Sequence, residues 1–215
     1  MKTQKTLYHL IVDKSGSMMD SIDATIDGFN AQIDRIRMLT REFPEQVISV
    51  GLTLFDDEVQ CLYSEMAPEK CPLLDHKRYK PGGRTALLDA IGMTIQKLEK
   101  GRAESEMNHS VTVVMVIITD GHENASRSYT FEDVSKKIAT LQETAQWTFT
   151  YLGATLDATE IGNKLNIDKR NSRSYDKKDM GREVFDKVSD SMRSYLFKKR
   201  MGGDLNDFFD KTDKD

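Results

Sequence analysis

The chain predicts a doubly wound α/β domain: a Rossmann-like, mostly parallel sheet with one antiparallel edge strand and helices on both faces. Three observations predict it. Apolar runs of strand length alternate with longer segments whose apolar residues recur every three or four positions. No internal repeat interrupts that alternation. One pair of runs, separated only by Asp56-Asp57, is too close in sequence for a parallel crossover and must fold back as a hairpin.

The elements follow in order. Thr6–Val12 is nearly continuous in apolar residues and reads as a buried parallel strand. From Met18 to Leu39 the spacing Met18, Ile22, Ile26, Phe29, Ile33, Ile36 predicts a helix. Pro44 ends that pattern. Val47–Phe55 is a second strand, Asp56-Asp57 a tight turn, and Glu58–Tyr63 the short antiparallel edge strand. Ala67–Arg84 carries Pro68, Pro72 and Pro81-Gly82-Gly83 and reads as loop. A second helix spans Ala86–Lys100, and the polar stretch Gly101–Asn108 is a surface loop. Val111–Thr119 is the central strand, followed by a polar loop over Gly121–Tyr129.

Thr130 is placed to cap a helix over Phe131–Glu143, with Asp133 completing a variant of the capping box. Trp147–Leu152 is the next strand, and Gly153-Ala154-Thr155 leads to a short helix over Ala158–Leu165. Arg173-Ser174-Tyr175 is a last edge strand. Met180–Lys199 is the final helix, with Val184, Phe185, Val188, Met192, Tyr195 and Leu196 on one side. Gly202-Gly203 then releases a tail. Residues 1–200 thus form one domain and 201–215 an acidic tail, in which Asp204, Asp207, Asp210, Asp213 and Asp215 surround Leu205, Phe208 and Phe209. Such a tail is either a docking peptide or a frayed end.

Three loops carry chemistry. The first strand ends in Asp13-Lys14-Ser15-Gly16-Ser17, one acid and two hydroxyls spaced by two. That loop lies at the carboxyl end of a strand, where open α/β sheets place their ligands. Carboxylate and hydroxyl oxygens are hard donors, suited to Mg²⁺, Mn²⁺ or Ca²⁺. A second loop, Gly82-Gly83-Arg84-Thr85, precedes the second helix, and the central strand ends in Asp120. Taken singly, each residue has a plainer reading: Asp13 and Asp120 as turn residues, Ser15, Ser17 and Thr85 as helix caps.

Together these pieces resemble the von Willebrand factor A (vWA) domain family, over roughly Lys5 to Arg200. The metal-ion-dependent adhesion site (MIDAS) of that family is D-x-S-x-S, a later Thr and a later Asp. Asp13, Ser15, Ser17, Thr85 and Asp120 match it in order. The resemblance implies that Ser15, Ser17 and Thr85 ligate a divalent ion directly or nearly so, while Asp13 and Asp120 act largely through water. It also implies an open coordination position, completed by an Asp or Glu of a partner protein. The absence of a recognisable secretion signal makes the chain most similar to freestanding bacterial or phage intracellular members. Those imply partners such as an AAA+ ATPase or another multiprotein assembly.

Composition narrows the alternatives. With 215 residues, 38% apolar and 31% charged, the chain can bury a full core. A net charge of −4 gives no electrostatic case for nucleic acid. No apolar run approaches the ~20 residues of a membrane span, and the polar start Met1–Thr6 does not read as a secretory signal; a cytoplasmic protein is expected. Two cysteines, Cys61 and Cys71, read as reduced thiols rather than a disulfide or zinc site. His122 and Glu123 are rim contacts for a partner, a base in a hydrolase or, more simply, an exposed loop pair, and His9 is a packed strand residue. Met18 belongs to the core of the first helix, while Met18-Met19 together would make a soft surface. Arg84 either steers an acidic ligand or is a solvated surface residue. Lys198-Lys199-Arg200 suits a helix C-terminus.

The leading functional expectation is therefore a divalent-metal-dependent protein-interaction module, not an enzyme. The competing class is a Mg²⁺-dependent phosphohydrolase or phosphotransferase on a doubly wound sheet. Dehalogenase-like enzymes need a second acid two residues after the first, where this chain has Ser15. Neither a phosphate-binding G-x-x-x-x-G-K-[ST] loop nor a G-x-S-x-G elbow is present.

Overall fold

A computed structural model describes residues 4–103, 111–154, 157–179 and 181–209. Six strands form one sheet in the order β3-β2-β1-β4-β5-β6: β1 Gln4–Asp13, β2 Gln46–Phe55, β3 Val59–Met66, β4 Val111–Thr119, β5 Trp147–Gly153 and β6 Ser172–Ser174. All neighbours are parallel except β2 and β3, whose antiparallel register pairs Phe55 with Val59 across the Asp56-Asp57 turn. The helices are α1 Ile22–Glu42, α2 Leu87–Ala103, α3 Phe131–Glu143, α4 Ala158–Lys164 and α5 Arg182–Arg200.

Strand pleating sorts the core into two layers. From β1, Tyr8, Leu10 and Val12 face α1 and α5, where they pack with Phe29, Ile33, Ile36, Val188, Met192 and Leu196. Leu7 and Ile11 face the other way, onto Leu88, Ile91 and Ile95 of α2 and Val134 and Ile138 of α3. The helical spacings read from the sequence are the buried faces of α1 and α5. Thr130 and Asp133 form the full capping box of α3: Asp133 N donates to Thr130 Oγ1 at 3.2 Å and Thr130 N to Asp133 Oδ2 at 2.9 Å.

Several boundaries differ from expectation, and the edge strand β3 runs three residues past Tyr63, to Met66. The chain enters α1 through a 3-10 turn over Gly16–Ser21, so regular helix starts at Ile22 rather than Met18. Such turns are frequent at helix starts. Here the tight turn keeps Met18 in the core while leaving Met19 exposed. Helix α2 continues three residues past Lys100, so the expected loop at Gly101 begins as helix; its remainder, like Met180 and Thr155, lies outside the described residues. The tail is packed as far as it is described: Phe208 and Phe209 are buried in the α1–α5 layer. Phe208 N donates to Asn171 Oδ1 at 2.8 Å, and the Arg173 guanidinium covers the Phe209 ring.

Lys199 does more than end a helix. It is buried, and its ammonium donates to Lys5 O, Thr6 Oγ1 and Thr112 Oγ1, each at 2.8 Å, tying the last turn of α5 to the start of β1 and β4. Cys61 and Cys71 are both free thiols.

Strand β1 lies between β2 and β4. The chain moves to one side of β1 to make β2 and then crosses to the other side to make β4. The carboxyl ends of β1 and β4 therefore flank the crevice that such a switch opens. Asp13 ends β1 and Asp120 follows β4.

Candidate metal centre

The loops that carry the five residues are fastened to one another through the backbone. Gly16 N donates to Gly83 O at 3.1 Å and Gly82 N to Lys14 O at 2.9 Å. Asn124 N and Ala125 N both donate to Thr85 O, and Asn124 Oδ1 accepts from Thr85 N at 2.9 Å. Gly83 has φ +65, and a Cβ there would meet Asp57 Oδ1 at 1.9 Å. Glycine adopts that left-handed conformation without the strain an L side chain would bring.

The plainer role as caps is not taken up by the serines: the 3-10 turn following Ser15 and helix α1 have no side-chain cap hydrogen bond. At α2, first-turn donors are satisfied from the loop after β4. Leu88 N donates to Glu123 Oε2 at 2.9 Å and Asp89 N to Ser126 Oγ at 3.0 Å. Glu123 also accepts from Ala125 N and Ser126 N, so it is a structural clamp rather than an exposed loop residue. His122 is 63% exposed and faces Asp157 at 3.8 Å.

What remains is a convergence of oxygens. Ser15 Oγ and Ser17 Oγ are 3.0 Å apart, and Ser17 Oγ donates to Asp120 Oδ1. An imagined Cβ on Gly121 would find Thr85 Oγ1 at 3.0 Å, Ser17 Oγ at 3.5 Å and Asp13 Oδ2 at 3.8 Å. All five residues named from the sequence thus border one cradle. Asp13, Ser15 and Thr85 are buried, while Ser17 is at the surface.

Electrostatics favour a cation here. Asp13 is held by Ser15 N at 2.6 Å and by the Thr119 hydroxyl at 2.5 Å, bonds that support its charged form. Burial outweighs them and, with the nearby Asp120 charge, pushes the Asp13 carboxyl up to about 6. The Asp120 side chain is 1% exposed, and its Oδ2 is buried without a hydrogen bond among the described residues. The Lys177 ammonium lies 2.9 Å from it. A pair of buried carboxylates beside three hydroxyls, with the Lys177 ammonium as the cation already drawn to one carboxylate oxygen, is a fitting donor set for a hard divalent ion.

Sequence reasoning missed four contributors. Tyr79 donates to Asp13 O at 2.7 Å and Tyr175 to Thr119 O at 3.0 Å, bracing the strand ends. Thr119 and Lys177 touch the two acids directly. Only Thr119, a hydroxyl adjoining Asp120 at the strand end, carried a signal. Arg84 is exposed beside Thr85, as both readings of it require.

The model of the von Willebrand factor type A domain matches residues 9–190, and the chain belongs to that family. Solved structures show the same fold. The PilB minor pilin from Streptococcus sanguinis aligns with TM-score 0.61 and 11% identity, over 91% of this chain and 63% of that one. A von Willebrand factor type A protein from Catenulispora acidiphila gives 0.57 and 14%, over 90% and 43%. The manganese-loaded TRAP protein of Plasmodium vivax gives 0.52 and 16%, over 82% and 70%. The chain thus spans less than two thirds of the first two. No curated protein sequence matches it.

Proposed function

We propose that the protein is a divalent-metal-dependent protein-interaction module that captures an acidic residue of a partner. The observation that carries this reading is the convergence of Asp13, Ser15, Ser17, Thr85 and Asp120 on one cradle in which the buried Asp120 Oδ2 draws a cation, the Lys177 ammonium. When bound, Mg²⁺ or Mn²⁺ supplies a Lewis-acidic position for an anionic oxygen. Ser15, Ser17 and Thr85 would hold the ion. Asp13 and Asp120 balance its charge and orient the hydroxyls, as carboxylates behind a first shell do. Hydroxyl ligands leave the ion its attraction for a partner carboxylate, so the site suits capture rather than turnover. The manganese bound by the TRAP protein, a structural neighbour, is consistent with the choice of metal.

A non-catalytic role agrees with the loop chemistry, since Glu123 is engaged as a clamp and His122 points at Asp157. The two free thiols suit a cytoplasmic setting, where an AAA+ ATPase or another multiprotein assembly would be the partner. No helix among the described residues is long and apolar enough to cross a membrane.

The test is capture from native lysate with wild type, Thr85→Ala, and wild type in EDTA, beside Mn²⁺ calorimetry on the same proteins. Calorimetry should show one site in wild type that Asp13→Ala or Asp120→Ala abolishes. Partners recovered with wild type should be lost in EDTA and reduced at least about tenfold with Thr85→Ala, a loss on the scale of one deleted contact. Equal recovery in all three would sink the reading.

A further inference from the structure

We propose that Lys177 is a tethered counter-cation: it closes the cradle in the metal-free protein and competes with the divalent ion for Asp120. The proposal rests on the metal-module reading above and adds a residue that sets how tightly the ion is held.

Lys177 opens the 3-10 turn Lys177–Asp179, between β6 and α5. Its ammonium lies 2.9 Å from Asp120 Oδ2 and also donates to the backbone oxygen of Ser17. One cation therefore bridges the loop after β1 and the acid after β4, the same two segments that border the cradle. The turn presenting it is anchored. Tyr175 N donates to Gly153 O and the Tyr175 hydroxyl to Thr119 O, each at 3.0 Å. Asp179 N closes the turn on Asp176 O at 2.7 Å. The backbone thus delivers a lysine to this point, and the long side chain alone has to move for the contact to open.

A divalent ion held beside that oxygen and an ammonium in contact with it repel one another. The Lys177 side chain is 38% exposed whereas that of Asp120 is 1% exposed, so the lysine reaches solvent and the acid it meets does not. An ammonium is a compact charge on a flexible stem and can swing into water, whereas the acid is fixed. Binding of a divalent ion would then be an exchange in which Lys177 gives up its contact with Asp120. A protein whose binding-competent form is a minority binds more weakly in proportion to that fraction. If Lys177 closes nine molecules in ten, the apparent metal affinity falls about tenfold.

The experiment is Mn²⁺ calorimetry on wild type, Lys177→Met and Lys177→Arg, with melting curves in EDTA and in saturating Mn²⁺. Lys177→Met should tighten Kd about tenfold, while Lys177→Arg, which keeps the charge, stays within about threefold of wild type. Lys177→Met should melt below wild type in EDTA and alongside it in Mn²⁺; a lysine with a merely structural role would lower both and leave Kd alone. In wild type, labelling of Lys177 by an amine-reactive reagent, read by peptide mass spectrometry, should speed up several-fold when Mn²⁺ replaces EDTA. This measurement decides the matter if Lys177→Met does not fold. One Mn²⁺ site of equal Kd in wild type and Lys177→Met, or an unchanged labelling rate, overturns the role of Lys177 and leaves the metal module standing. No Mn²⁺ binding in either protein overturns both.

Discussion

His9 shows how one residue in the sheet couples stability to pH. It is fully buried, its Nε2 lies 2.9 Å from Thr53 Oγ1, and Thr53 Oγ1 lies 3.0 Å from Thr94 Oγ1 of α2. The space for the ring exists because residue 51 on the neighbouring strand is glycine: a Cβ there would sit 2.0 Å from His9 Nδ1. Burial, assisted by the Lys97 charge, lowers the imidazole from 6.5 to about 3. Between those values the unfolded chain takes up a proton that the folded one refuses. The stability due to neutral His9 is therefore present above pH 6.5 and is lost as pH falls toward 3. Urea unfolding from pH 6 to 4 should show a slope with about one proton's worth, ~1.4 kcal/mol per pH unit, attributable to this residue. His9→Gln should remove that part of the slope. An unchanged slope would assign the proton uptake to another group.

The candidate site was legible at this scale where chemistry and sequence spacing coincide. Asp13, Ser15 and Ser17 lie within five residues, and Thr85 and Asp120 each adjoin a strand or helix end. Tyr79, Tyr175 and Lys177 were not legible, because their contacts depend on how distant loops stack and a lone tyrosine or lysine in a polar loop has no periodicity. Glu123 was misread for a related reason. Its carboxylate serves the first turn of α2, a partner 35 residues earlier that only the fold brings near.

At the scale of elements, strands and helices were read where the apolar pattern is strong. β4 and α3 have the bounds the sequence implies, and the β2–β3 hairpin follows from chain length alone. The tail is where pattern failed. Alternating aspartates mask two phenylalanines that complete the layer between α5 and the sheet. Phe208 is 0% exposed, with its ring centroid 6.0 Å from that of Tyr195 and 5.3 Å from that of Phe209. The segment is held polar side out: Asn171 Nδ2 donates to Asn206 O at 2.9 Å and Lys198 Nζ to Asp207 O at 3.1 Å. Phe208→Ala should then cost on the order of 3–5 kcal/mol, as for other large buried side chains. Denaturant unfolding measures it. A change within about 0.5 kcal/mol, the range of surface substitutions, would mean that the tail does not pack.

At the scale of the whole molecule, the candidate metal centre and the source of stability are separate. The two apolar layers lie along the body of the sheet, against α1 and α5 on one face and α2, α3 and α4 on the other. The five oxygen-bearing residues lie at one rim, where backbone hydrogen bonds among Lys14, Gly16, Gly82, Gly83, Thr85 and Asn124 already fix the loops. A divalent ion bound at that rim should therefore add stability by linkage alone. A ligand of the native state at a hundred times its Kd contributes about 2.7 kcal/mol, and proportionately less at lower occupancy. Adding EDTA to the Mn²⁺-loaded protein should lower the melting temperature by a few degrees, about 2–4 °C per kcal/mol for a domain near this size. The far-ultraviolet circular dichroism at 25 °C should be unchanged. The loss should be smaller than a bare pair of buried carboxylates would give, since Lys177 partly replaces the departing ion at Asp120. Unfolding on chelation at 25 °C would mean instead that the ion organises the three loops, and that the cradle is a structural centre rather than a docking one.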